Sequence, residues 1–212
     1  MELSNISKEV IEKLRREMGK DSYIYNHSAR VADIVCDIAE KFGLNKEEIA
    51  TVQIAALVCD YGMIPILDTV NKNGKLTDIE WKLVQGHTKT GSDILSQNPH
   101  LREVAKIVLH HHERWDGNGY PNRIRENEIP LGARIIAVAD SIDAMRSKRP
   151  YREPLPWKTC IKEVFGNSGV MYDPKVVKAT RSLWRGWKNK HELNQGDNPP
   201  KEQQKKRKEV ER

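Results

Sequence analysis

Apolar residues recur along this chain at the spacing of a helix and nowhere in the sustained alternation of a half-buried strand. Val31, Ile34, Val35, Ile38 and Phe42 form one helical face that ends near Gly43. Asn45 with Glu48 makes a capping-box pattern and opens a helix through Ala50, Val52, Ala56 and Leu57 that runs into Cys59-Asp60. Thr77 with Glu80 repeats the device and leads to His87, after which Gly91, Ile94 and Leu95 suggest a further helical stretch. Leu101, Val104, Ala105 and Val108 form another stripe whose end presents His110, His111 and His112. Pro130 stands where a helix would begin, and Ile135, Ile136, Val138 and Ala139 make that helix apolar nearly all round, which predicts burial. Residues 62–75 and 116–130 carry the only long irregular patterns. The expected fold is all-α, a helical bundle with a metal site at helix ends.

The metal expectation begins in His110-His-His-Glu-Arg-Trp-Asp-Gly-Asn-Gly-Tyr-Pro121, where three histidines, two acids, two glycines and a Gly-Tyr-Pro turn share twelve residues. Core packing does not require such a mixture. A helix that delivers imidazoles to a metal beside a rigid loop does. The histidines and aspartates at helix ends or on buried helix faces are His27, Asp60, His87, His111, His112 and Asp140, and all but the adjacent pair fall on different predicted helices. Imidazoles and carboxylates gathered from several helices can build a dinuclear site. Such a mixed N/O set suits iron or manganese better than structural zinc. Asp60 could bridge two ions, and a metal pair polarises a phosphoryl oxygen and supplies hydroxide near neutral pH. Phosphate-ester hydrolysis is the chemistry that best fits.

Composition narrows the alternatives. A length of 212 residues suits one domain with a full core and a short appendage. The longest apolar runs, near 54–58 and 135–139, are too short to span a bilayer. The opening residues carry neither the basic flank nor the apolar stretch of a signal peptide, so a cytoplasmic chain with Cys36, Cys59 and Cys160 as thiols is expected. The net charge of +6 is concentrated at the end, because residues 185–212 hold nine Lys/Arg against five Asp/Glu. That stretch is too polar to fold alone and reads as a solvated tail, so no specific nucleic-acid partner is expected.

With these residues in order, the chain resembles the HD-GYP domains, a subgroup of the HD metal-dependent phosphohydrolases, over roughly residues 23–177. The most specific stretch is His111 through Pro121. Asn26-His27-Ser28-Ala-Arg-Val-Ala, Asn71-Lys-Asn-Gly-Lys-Leu-Thr, Val138-Ala-Asp140-Ser-Ile-Asp143-Ala-Met, Arg149-Pro-Tyr-Arg152 and Tyr172-Asp-Pro also match. The resemblance implies an HD-domain-like bundle over residues 20–184, flanked by an N-terminal extension (1–19) and the basic tail (185–212). It implies a bacterial signalling enzyme that hydrolyses cyclic di-GMP with two divalent ions, and metal ligands at His27, Cys59, Asp60, His87, His111, His112 and Asp140. Asp60 and Asp143 are then expected in catalysis, Asp143 either holding a ligand histidine or capping backbone. Arg149, Arg152 and Tyr120 are expected at the substrate. The Gly119-Tyr120-Pro121 loop would also dock a signalling protein. Trp115 and Tyr120 either pack that loop or stack on guanine, and His110 is expected to pack or face solvent.

The resemblance breaks at one place. Where the family carries His-Asp-x-Gly-Lys, this chain reads Cys59-Asp60-Tyr61-Gly62-Met63. Cys59 is either a replacement ligand or a small buried hydrophobe. Met63 removes a positive charge, and losing one such stabilising group costs about 10²–10³ in rate. Tyr23 stands where members with a third metal carry Glu, so a two-metal centre is expected. The alternative is an impaired relative that binds a cyclic dinucleotide or a signalling protein without turnover.

Overall fold

The computed structural model describes residues 16–17, 23–70, 74–148 and 153–189. Helices α1 (Tyr23–Phe42), α2 (Lys46–Val58), α3 (Asp78–Gln85), α4 (His87–Ser96), α5 (Arg102–His110), α6 (Leu131–Arg146), α7 (Trp157–Gly166) and α8 (Pro174–Thr180) form the bundle. Among the described residues the only β pairing is an isolated bridge between Ser168 and Tyr172. Both capping boxes form: Asn45 with Glu48 opens α2, and Thr77 with Glu80 opens α3. The expected α1 stripe is buried through Val31, Val35 and Ile38. It packs against α2 and against α6, whose Ile135, Ile136, Val138, Ala139 and Ile142 are wholly enclosed.

Three features depart from expectation. The stretch Lys46–Thr69, 24 residues, is long and apolar enough to cross a membrane by length and composition, where the sequence runs looked too short. Within it α2 buries Val52, Ile54, Ala55, Ala56 and Val58, and the chain turns at Cys59-Asp60. Next, the segment read as irregular is partly ordered, because Tyr61–Ile66 forms a 3-10 helix with Pro65 inside it, followed by the single turn Leu67–Val70. Gly62 permits its position, since a Cβ there would stand 2.0 Å from the His87 carbonyl oxygen and 2.8 Å from the Gly91 nitrogen. Finally, buried helical structure continues past residue 184. Trp187 is buried, and its Nε1 donates to Asp37 on α1 at 2.7 Å. The expectations for residues 1–15 and 190–212 lie outside the described residues.

The loop after α5 is pinned at several points. Trp115 and Asp116 donate their backbone N–H groups to the Met171 and Val170 carbonyls at 3.1 and 2.9 Å. Gly119 lies so close that a Cβ would meet the Arg114 nitrogen at 2.4 Å and the Glu113 Cα at 2.5 Å. Glu113 is buried and accepts from the Asn122 backbone at 2.7 Å. The Tyr120–Pro121 peptide is cis.

Candidate metal centre

His87 is the first residue of α4, and His111 follows the last residue of α5. Each ring is fixed by the carbonyl three residues before it: His87 Nδ1 donates to Val84 at 2.6 Å, and His111 Nδ1 donates to Val108 at 2.7 Å. A carbonyl can only accept, so the Nδ1 atoms carry the protons and, in neutral rings, the Nε2 atoms present lone pairs. Those Nε2 atoms lie 3.3 Å apart. Asp60, at the turn after α2, places Oδ1 3.5 Å from His87 Nε2 and Oδ2 3.7 Å from His27 Nε2. Ligand atoms of Asp60, His87, His111 and His112 all lie within 4.8 Å of one another. On the far side of Asp60, His27 Nε2 meets Asp140 Oδ1 at 3.0 Å. The six expected His and Asp ligands, contributed by α1, α4, α5, α6 and the turns beside them, are therefore brought together.

Electrostatics divides the cluster into two halves. Burial pushes the His111 and His112 imidazoles down, His112 to about 4, so both are neutral at pH 7 with lone pairs available. Burial also opposes charge on His27, yet its hydrogen bonds to Asp140 and Asp143 raise it to about 11. Burial alone would raise the Asp140 carboxyl, but the His27 hydrogen bond holds it well below the usual carboxylate range. A cation entering this half would replace the His27 proton. Two facing Nε2 lone pairs beside a carboxylate repel unless something positive lies between them, so the donor set fits a divalent metal ion.

Asp143 stands behind the cluster. Its Oδ2 lies 2.7 Å from His27 Nδ1, which makes it the group that orients His27 and not one that faces the converging ligand atoms. Of the two places expected for Asp143, this is the one that holds a ligand histidine rather than capping backbone. For Cys59 the sequence left ligand and small buried hydrophobe open. Buried, with its Sγ donating to the Ala56 carbonyl at 3.2 Å and burial raising its thiol well above the usual value, it packs as an uncharged side chain. Its Sγ is not among the mutually close donor atoms of Asp60, His87, His111 and His112. Tyr120 lies over the cluster with its ring 4.9 Å from that of His112; burial and the Asp60 and Asp140 carboxylates push its phenol upward. Trp115 packs under the Arg134 guanidinium, 5.8 Å away. His110 is partly buried beside Glu113, with Nδ1 3.7 Å from Oε1. Arg149 and Arg152 lie outside the described residues.

Sequence reasoning missed Arg30, whose Nε donates to Asp143 Oδ1 at 2.7 Å. It falls within the matched Asn26–Ala32 stretch and is one helical turn from His27, and that spacing was the available signal.

Comparison with known proteins identifies the family. A cyclic di-GMP phosphodiesterase of Thermotoga maritima is 42% identical over 77% of this chain and 45% of its own length. A 3'3'-cGAMP-specific phosphodiesterase of Vibrio cholerae is 34% identical over 87% of this chain and 36% of its own. The chain thus spans less than half the length of either relative. The crystal structure of the L. monocytogenes phosphodiesterase PgpH HD domain in complex with cyclic-di-AMP shares the fold at TM-score 0.60 and 20% identity, covering 84% of this chain and 95% of that one. The HD domain family matches residues 18–176, and the chain belongs to that family, with the Gly-Tyr-Pro segment of its HD-GYP branch in place at Gly119-Tyr120-Pro121.

Proposed function

We propose that this domain hydrolyses a phosphodiester bond of a cyclic dinucleotide, with cyclic di-GMP the first candidate. The observation that carries the reading is the pair of Nε2 atoms 3.3 Å apart beside the Asp60 carboxylate. The names of the relatives supply the substrate class.

His27, Asp60, His87, His111, His112 and Asp140 would hold two divalent ions, iron or manganese, with Asp60 between the two halves. When bound, the ions supply Lewis acidity toward a phosphoryl oxygen and a nucleophile near neutral pH. The carbonyls of Val84 and Val108 keep His87 and His111 in one tautomer, so both donors are ready before any ligand arrives. Asp143 does the same for His27. Tyr120 closes one side of the cluster and limits water there. Arg149 and Arg152 would grip phosphate oxygens through bidentate contacts. The pinned Gly119-Tyr120-Pro121 loop offers a rigid surface for a signalling protein.

A second reading has its own observation. Cys59 donates its thiol to the Ala56 carbonyl, and Met63 supplies no charge where the resemblance to HD-GYP domains implies lysine. On that reading the domain binds a cyclic dinucleotide without cleaving it. Incubating Mn²⁺- or Fe²⁺-loaded protein with cyclic di-GMP and with 3'3'-cGAMP separates the two. Linear dinucleotide or mononucleotide products support hydrolysis. Stoichiometric metal with no product removes hydrolysis and leaves binding.

A further inference from the structure

Arg30 reaches the ligand cluster without touching it. It sits one turn after His27 on α1, and nearly half of its side chain is exposed. Its guanidinium grips the Asp143 carboxylate with two contacts, Nε to Oδ1 at 2.7 Å and Nη2 to Oδ2 at 3.1 Å. The same Nη2 donates to Ser147 Oγ at 2.9 Å, and Ser147 Oγ donates to Asp143 Oδ2 at 2.9 Å. Oδ2 also receives His27 Nδ1 at 2.7 Å. One buried carboxylate oxygen therefore takes three donors, and Arg30 is the only one of the three partners that also holds the other oxygen.

We propose that Arg30 is a positioning residue of the metal centre; the inference rests on reading the cluster as a metal site. A carboxylate held by one imidazole alone can rotate about its Cβ–Cγ bond. Two parallel contacts from a planar guanidinium fix the plane of that carboxylate. With the plane fixed, the His27 ring is fixed too, and its Nε2 is directed at Asp60 and Asp140. The Arg30–Ser147 contact extends the lock to the end of α6. There the Ser147 N–H donates to the Asp143 carbonyl at 2.8 Å, and the chain leaves toward residues 149–152. Arg30 thus ties a metal ligand to the start of the segment carrying Arg149 and Arg152.

The competing explanation is a partly exposed ion pair with no bearing on the metal, and such pairs contribute little. The two differ in what substitution changes. Outer partners of metal ligands carry roughly 10–100-fold in metal affinity. Lysine offers a single point charge and cannot span both Asp143 oxygens together with Ser147.

The test is calorimetric titration of metal-free wild type, Arg30→Met and Arg30→Lys with Co²⁺, with the visible Co²⁺ spectrum and the thermal unfolding of each metal-free protein recorded in parallel. Wild type is expected to bind. Arg30→Met is expected to bind about 10–100-fold more weakly with an altered spectrum, and Arg30→Lys to fall between them. Should Arg30→Met not fold, Arg30→Lys alone decides by the same criterion. Variants that bind as tightly as wild type with the same spectrum overturn the proposal, even if unfolding shifts. A folded wild type that binds no Co²⁺ overturns the metal reading itself, and this proposal with it.

Discussion

His87 and His111 face each other through Nε2 atoms 3.3 Å apart, each ring tied back to a carbonyl three residues earlier in its own chain. Neither ring can turn to relieve the contact without giving up a buried hydrogen bond, worth about 1 kcal/mol. The fold therefore maintains two opposed lone pairs that a cation satisfies and water satisfies less well. Asp60 supplies the negative charge beside them, and the two halves of the cluster meet at its carboxylate.

The approach of the 3-10 helix to α4 is what brings Asp60 to His87. Gly62→Ala would place a Cβ 2.0 Å from the His87 carbonyl oxygen, so backbone must move. Overpacking of this kind costs roughly 1–3 kcal/mol, and the Asp60–His87 spacing should open with it. Thermal unfolding and metal titration of the variant check both effects. An unchanged midpoint with unchanged affinity would show that the 3-10 helix can shift freely.

Acid should weaken the metal-free protein before it reaches ordinary carboxylate protonation. His112 is pushed down to about 4 in the folded state, whereas an unfolded imidazole titrates near 6.5. Below 6.5 the unfolded chain takes a proton that the folded one refuses, so stability present above 6.5 is lost as pH falls toward 4. His111 acts in the same direction. His27 acts in the opposite direction: raised to about 11, its contribution is complete below 6.5 and is lost as pH rises through 11. Urea midpoints of chelator-treated protein should decline on the acid side, and His112→Phe should flatten that limb. Parallel acid limbs in the two proteins would show that another group governs it.

The buried ion pair of Arg134 Nη1 with Asp173 Oδ2, at 2.6 Å, joins α6 to the start of α8. Asp173 also accepts from the Lys175 N–H at 2.7 Å, and Arg134 covers Trp115. Removing one partner strands the other charge, so Asp173→Ala should cost about 3–5 kcal/mol in denaturant unfolding. A loss under 1 kcal/mol would mean that solvent reaches Arg134.

Cys59 separates packing from ligation. Because its thiol donates to the Ala56 carbonyl, Cys59→Ala should leave metal stoichiometry unchanged and cost about 1 kcal/mol of stability. A fall in bound metal would show that the thiol swings into the cluster. The double change Cys59→His, Met63→Lys should raise hydrolysis of cyclic di-GMP about 10²–10³-fold. No gain would mean that the low charge at residue 63 does not limit the rate.

Much of this site was legible because local rules and global fold agree. The capping boxes at Asn45 and Thr77 fixed where α2 and α3 begin, and the Val31–Ile38 stripe fixed which face of α1 turns inward. Helix ends then placed His87 and His111, and the named His and Asp residues converge as their positions suggested. What sequence could not show was direction. Asp143 and Asp140 lie one turn apart on α6, and only three-dimensional contacts separate the residue facing Asp60's side of His27 from the one behind its ring. The turn of Cys59 toward Ala56 is likewise a rotamer, invisible in a residue string. Residues 62–75 carry an irregular pattern, yet Tyr61–Ile66 forms a 3-10 helix that accommodates Pro65. Leu183, Trp184 and Trp187 carry helical spacing, but nothing in a residue string pairs Trp187 with Asp37 on α1.

Elemental analysis of protein purified without added metal, with Asp60→Ala alongside, decides whether this cluster is a metal centre. Wild type is expected to carry close to two ions of iron or manganese per chain, and Asp60→Ala, which removes the carboxylate between the halves, far fewer. A cooperatively folded wild type that carries no metal, and takes up none from excess Mn²⁺ or Fe²⁺, would contradict the metal reading.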